Sequence, residues 1–258
     1  MGARAPVTRI LAVHAHPDDV ETLCAGTLAL LAEKGHAIII ATLTAGDCGA
    51  IDTGPEETAT VRKREAEASA KQIGARYLCA GFGDLCLFND DASRRRVVEL
   101  IRNCSPELIL TSAPVDYHPD HEAASMLVRD ACFASTVPNY GAGTSKPLAQ
   151  IPHLYFVDPI EGRDRDGERV VPEFGVDITQ TFAVKERMFA CHKSQAGWEA
   201  KQHAIDDFVG AMERWTKRRG RTFGVTYAEG FRQYRCHPYP RTPLLQELVG
   251  EALLKVPA

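Results

Sequence analysis

The chain has 258 residues, 45% of them hydrophobic and 25% charged, with a formal net charge of -4. This is ordinary for a soluble globular protein, and the length supports one large α/β domain or two small ones. The acidic balance argues against a nucleic-acid binder, and no apolar run approaches the ~18 residues that span a bilayer.

The predicted elements alternate from the start. Arg9–Ala15 is a short apolar strand, and Thr22–Gly35 has helical spacing with a terminating glycine. A strand over His36–Gly46 precedes a helix over Pro55–Gly74, which has proline and acids in its first turn. Ala75–Ala80 reads as a strand, Asp91–Pro106 as a helix, Glu107–Ser112 as a strand and His121–Ser135 as a helix. Such alternation predicts right-handed crossovers and a mostly parallel sheet with helices on both faces. We expect a single domain over 1–258, with a loop and hairpin excursion around 137–175. Beyond it come "GVDIT", the helical Phe182–His192 and a long helix over Trp198–Gly220, giving a helical C-terminal part. Eight scattered cysteines without a Cys-x-x-Cys pair read as free thiols. With no apolar leader segment, they point to the cytoplasm.

Two stretches concentrate titratable side chains at predicted strand ends, where α/β folds build their sites. "HAHPDDVE" follows the first strand and "DYHPDHE" follows "ELILTS". Each holds a His-Pro-Asp, with a further ligand-type residue three positions after the histidine. Two histidines and a carboxylate are a ligand set for a catalytic metal, with zinc, iron and manganese left open by spacing alone. His16, Asp19 and one histidine of the second stretch would supply it. Asp18 would remain to accept a proton from water, and the spare histidine to donate one to a leaving group.

These residues carry a resemblance. "AHPDDVE", "CAGTLALLAEKGHAIIIATLTAGDCG" and "YHPDH" are similar to the PIG-L/LmbE-like N-deacetylases, and supporting segments extend the likeness to "VKERMFACHKSQ". The resemblance implies a Rossmann-like fold and zinc-dependent hydrolysis of an acetamide on an N-acetylglucosamine-type amino sugar, one Zn²⁺ per chain. It implies His16, Asp19 and His121 as zinc ligands and Asp18 as general base. His118 becomes the general acid or oxyanion stabiliser, with Asp120 orienting it. Arg62 and Asp84 fall at positions that hold the sugar. Asp47 is either a further substrate contact or an Asx-turn residue. Val20 separates the aspartate pair from Glu21, where many relatives place the glutamate directly after it, so Glu21 reads as a helix-start acid.

Other groups read as structural. Trp198, Trp215 and Phe231 are expected in a core or interface, and Lys217, Arg218 and Arg219 at a solvated helix end. His14 is expected to make a strand hydrogen bond, and His192 is left open between a helix-end and a pocket role. A two-metal phosphoesterase and a non-catalytic sugar-binding protein are the competing readings. The sequence leaves open the sugar, its linked group and the oligomeric state, a homo-oligomer included.

Overall fold

The computed structural model describes residues 6–141, 143–196 and 207–256. Eight strands form one sheet: β1 Arg9–His14, β2 Ala37–Thr44, β3 Arg76–Phe82, β4 Leu108–Thr111, β5 His153–Val157, β6 Phe174–Asp177, β7 Ala228–Gln233 and β8 Leu253–Lys255. Their order is β3-β2-β1-β4-β5-β7-β6-β8. The first five are parallel, and β7, β6 and β8 extend the sheet with antiparallel pairings. The α/β class with helices on both faces is as expected, but the parallel character ends at β5.

The helices are α1 Asp19–Leu23, α2 Ala25–Glu33, α3 Pro55–Lys71, α4 Asp91–Cys104, α5 Pro119–Ala134, α6 Phe182–Phe189, α7 Phe208–Phe223 and α8 Leu244–Val249. The predicted helix over 22–35 is two, broken at Cys24, whose backbone (φ -146°, ψ 7°) is not helical. In β1, Ile10 and Ala12 pack into one core with Leu23, Leu28 and Met188. Leu11 and Val13 pack on the other face with Val97, Ile101 and Leu127. A strand with both sides buried reads as a continuous apolar run, as "RILAV" does.

The excursion contains more than a loop. "HLYFV" inside it is β5, hydrogen-bonded between β4 and β7. Arg163 and Arg169 bridge as the hairpin reading predicts. The C-terminal part likewise holds strands. "AEGFRQ" hides as β7 because its glutamate is buried: Glu229 meets Lys185 Nζ at 2.7 Å and accepts the backbone N–H groups of Gly26 and Thr27. Lys185 Nζ also donates to Thr22 O, so this pair anchors the α1–α2 junction to the sheet. Lys185→Met is expected to leave a buried carboxylate without its counter-charge, costing about 3–5 kcal/mol. A lower denaturant midpoint at unchanged slope would register that loss.

Candidate active site

The sheet order reverses direction between β1 and β4, so the chain segments leaving these strands diverge and open a crevice. Both His-Pro-Asp corners lie there. In the first, Ala15 O accepts the N–H and hydroxyl of Thr44, fixing the exit from β1. Asp18 then takes a left-handed backbone (φ 99°), and the His16 N–H donates to Asp19 Oδ2 at 2.8 Å. In the second corner, His118 caps α5 with Pro119 in the first turn. Its Nδ1 accepts the Asp120 N–H at 3.2 Å.

Three ligand-type side chains converge between the corners. His16 Nδ1 lies 3.3 Å from His121 Nε2 and 3.5 Å from Asp19 Oδ2, and His121 Nε2 lies 3.2 Å from Asp19 Oδ1. The remaining ring nitrogens are engaged elsewhere. His16 Nε2 faces Asp84 Oδ1 at 2.9 Å and Asp120 Oδ2 at 3.3 Å, and His121 Nδ1 faces Asp116 Oδ1 at 3.1 Å. With their protons on those outer nitrogens, both imidazoles turn lone pairs toward each other and toward a carboxylate. Such a cluster calls for a cation at its centre. Tetrahedral zinc with bonds of ~2.0–2.2 Å has ligand-to-ligand edges of about 3.3–3.6 Å, which these separations match. The donor set therefore fits zinc. His118 also brings a ring nitrogen within reach of His16 and His121.

The electrostatics agree. Burial opposes charge on His16 and His121, yet the surrounding carboxylates overcome it. His16 is raised well above the ordinary histidine value by Asp120, Asp19 and Asp84, and His121 to about 9 by Asp19 and Asp116. Asp19 is held well below the usual carboxylate range despite its burial, because His121 and His16 adjoin it. Asp18 differs from its neighbour: burial pushes it up to about 6, against the pull of Arg62. His118 is lowered by partial burial and by His16 and His121, whose ring centres lie 4.7 and 4.8 Å away.

A cavity of about 740 Å³ opens over this cluster and is lined by His16, Asp18, Asp19, Arg62, Asp84, His118 and His121. Asp120, Arg62, Asp47 and Asp84 each have protein partners. The Asp120 carboxylate lies against His16 and the Leu85 N–H (2.8 Å), so toward His118 it offers its backbone N–H and not its side chain. Arg62 is 4% exposed, and its guanidinium already donates to Gly46 O, Pro17 O and Asp18 Oδ2. Its geometry holds the Asp18 corner in place. Asp47 is absent from the cavity lining among the described residues, and its carboxylate accepts the Asp84 N–H. Asp84 is pulled to about 2, with His16 overcoming burial, so its carboxylate is committed to the histidine.

Neighbouring groups resolve as follows. His14 is fully buried against Ser112 Oγ, and Glu21 is a helix-start acid as expected, in the first turn of α1, where it sits buried between Ser69 Oγ and His192. Phe231 is in the core as expected, whereas Trp215 lines the cavity and Trp198 lies outside the described residues. Arg219 is not solvated at the helix end but buried on Asp158 at 2.6 Å. Asp116, five residues before His121, lies outside the His-Pro-Asp repeat, and no local pattern in the sequence marks it. It is 3% exposed, and its other oxygen accepts the Ile160 N–H. Asp116→Asn is expected to weaken metal binding by ~10–100-fold, since it removes the partner that fixes the His121 tautomer. Competition with a chromogenic chelator measures this.

Known proteins share this architecture. The family model described as PIG-L, GlcNAc-PI de-N-acetylase, matches residues 11–132. The diacetylchitobiose deacetylase of Thermococcus kodakarensis is 28% identical over 243 residues, covering 88% of this chain and 83% of the relative. A 4-oxalmesaconate hydratase of Pseudomonas putida is 25% identical over 240 residues, covering 87% and 88%. In fold, the chain is similar to the N,N'-diacetylchitobiose deacetylase from Pyrococcus horikoshii, with TM-score 0.75, 23% identity and coverage of 91% and 88%. With the two His-Pro-Asp corners meeting at the sheet's switch point, the chain is similar to the PIG-L/LmbE-like deacetylases, over residues 11–132 by the family model and over most of its length by these relatives.

Proposed function

We propose that the protein is a zinc-dependent N-deacetylase that removes acetate from an N-acetylglucosamine-type amino sugar or its conjugate. The observation that carries this reading is the convergence of His16, Asp19 and His121 in one cavity beside a half-buried Asp18 that is no part of that ligand set and is held on one oxygen by Arg62. Zn²⁺ held by these three residues supplies a Lewis acid that makes water nucleophilic near neutral pH.

The other roles belong to the chain's own groups. Asp18 takes the proton of the attacking water and passes it to the departing amine, which leaves poorly unless protonated. Arg62 holds the Asp18 carboxylate at 3.3 Å, and Asp116, Asp84 and Asp120 hold the two imidazoles. His118 accepts the Asp120 N–H at Nδ1, so its neutral form carries the proton on Nε2 and donates it to the oxygen that gains charge in the tetrahedral state. That hydrogen bond favours oxyanion stabilisation over proton delivery as its main task. The eight free cysteines accord with a reducing compartment such as the cytoplasm. Among the described residues no helix is long and apolar enough to cross a membrane.

The test is an assay of purified, zinc-loaded protein on a panel of N-acetylated sugars and conjugates, following acetate and free amine. Absence of acetate across the panel sinks the reading. Likeness to the hydratase favours a second one, addition of water to an unsaturated carboxylate, which consumes the double-bond absorbance without releasing acetate. A two-metal phosphoesterase is poorly supported, because among the described residues the groups His16–His118–His121 and His16–Asp84–Asp120 share His16 with the His16–Asp19–His121 set and leave no separate second site.

A further inference from the structure

The cavity continues beyond the histidine cluster. Its far wall is α7, which presents Phe208, Met212, Trp215 and Arg218, successive positions of one helical stripe. Trp215 is a fixed platform. Its ring lies against Gly162, which has a positive φ and where any Cβ would collide with the indole. The Arg219 guanidinium lies 5.0 Å from the ring centre and is itself locked to buried Asp158.

The charge of this wall is distinctive in an acidic protein. Arg214 is paired with Asp207, and Lys217 with Glu213. Arg218 has no ion pair among the described residues, is exposed at the mouth, and lies 5.9 Å from the Trp215 ring. Among the described residues the remaining acid at this end is Glu161, which can accept hydrogen bonds from hydroxyls but not balance an anion. An aromatic plate beside an unpaired guanidinium suits a ligand with an apolar ring face next to a negative group. The volume also exceeds what one acetamido sugar fills and falls in the range of larger ligands.

We infer that Trp215 and Arg218 form the subsite for the group linked to the amino sugar, and that this group carries an anion, a carboxylate or a phosphate. The inference rests on the deacetylase reading for the sugar end, while the subsite itself is a matter of binding.

Binding and turnover are therefore measured apart. Titration calorimetry on zinc-loaded Asp18→Asn protein, which holds ligand without consuming it, would compare three probes: the methyl glycoside of N-acetylglucosamine, its carboxymethyl glycoside, and N-acetylglucosamine 1-phosphate. At least one anionic probe is expected to bind about tenfold tighter than the methyl glycoside, and the gap should shrink as salt rises. Arg218→Gln should bring the preference near unity, and Trp215→Phe should abolish indole quenching on binding. The stronger anionic probe identifies the group as carboxylate or phosphate. Equal affinities for all three, or a preference that survives Arg218→Gln, overturns the subsite. An anionic preference without acetate release by the unmodified enzyme leaves the subsite standing and removes the deacetylase reading. Acetate release without the preference does the reverse.

Discussion

Asp18→Asn is expected to lower kcat by ~10²–10⁴-fold, the usual worth of general acid–base assistance, while metal content and fold stay unchanged. Asparagine is the informative replacement because it tolerates the left-handed backbone that position 18 adopts. It also retains one oxygen to accept from Arg62, so the corner keeps its partner. What disappears is the ability to take a proton. Burial has already moved this carboxylate to about 6, the direction that makes a stronger base near neutral pH, while Asp19 next to it is held ionised by two histidines. Turnover within a few-fold of the parent at equal zinc would assign the proton transfer elsewhere, with His118 the next group in reach.

His121→Ala is expected to lose the metal and, with it, measurable deacetylation. The substitution removes one of three converging ligands and leaves His16 Nδ1 and Asp19 as the protein's contribution. It also strands Asp116, whose carboxylate is 3% exposed and faces the deleted ring. Because any ligand that binds the folded state stabilises it, zinc at 100 times its Kd should add about 2.7 kcal/mol to the parent protein. The same zinc should leave the melting temperature of His121→Ala unmoved. Elemental analysis after dialysis provides the stoichiometry. A variant that keeps one equivalent of zinc would show that the ligands are drawn from another triad, such as His16, Asp84 and Asp120.

Much of this was legible in the chain because it depends on local pattern. The buried parallel strands are short runs of branched residues, and both corners follow such runs within a few positions. The convergence of His16 with His121 follows from the adjacency of β1 and β4, which the strand–helix alternation implies. What the sequence concealed depends on long-range partners. Arg62 resembles a ligand-binding arginine until Gly46, Pro17 and Asp18 are seen around it. Glu21, Glu229 and Arg219 look solvated until their buried counter-charges come from residues 171, 44 and 61 positions away. β7 contains glutamate, glycine, arginine and glutamine, so it lacks the apolar run or clean alternation that marks a strand, while the short apolar run of β5 is set within a Gly- and Pro-rich segment that reads as loop.

The sheet's change from parallel to antiparallel at β5 separates two kinds of constraint along the chain. The family match over 11–132 contains both corners together with Arg62, Asp84 and Asp116. Glu161, Trp215 and Arg218 all lie after it, on the turn following β5 and the helix preceding β7. Drift in the later segment can thus redesign what enters the crevice while the reactive groups stay untouched. A graft of residues 158–227 from a relative with different ligand preference would exchange selectivity in one step, and the hybrid would inherit its chemistry from the first half of the chain.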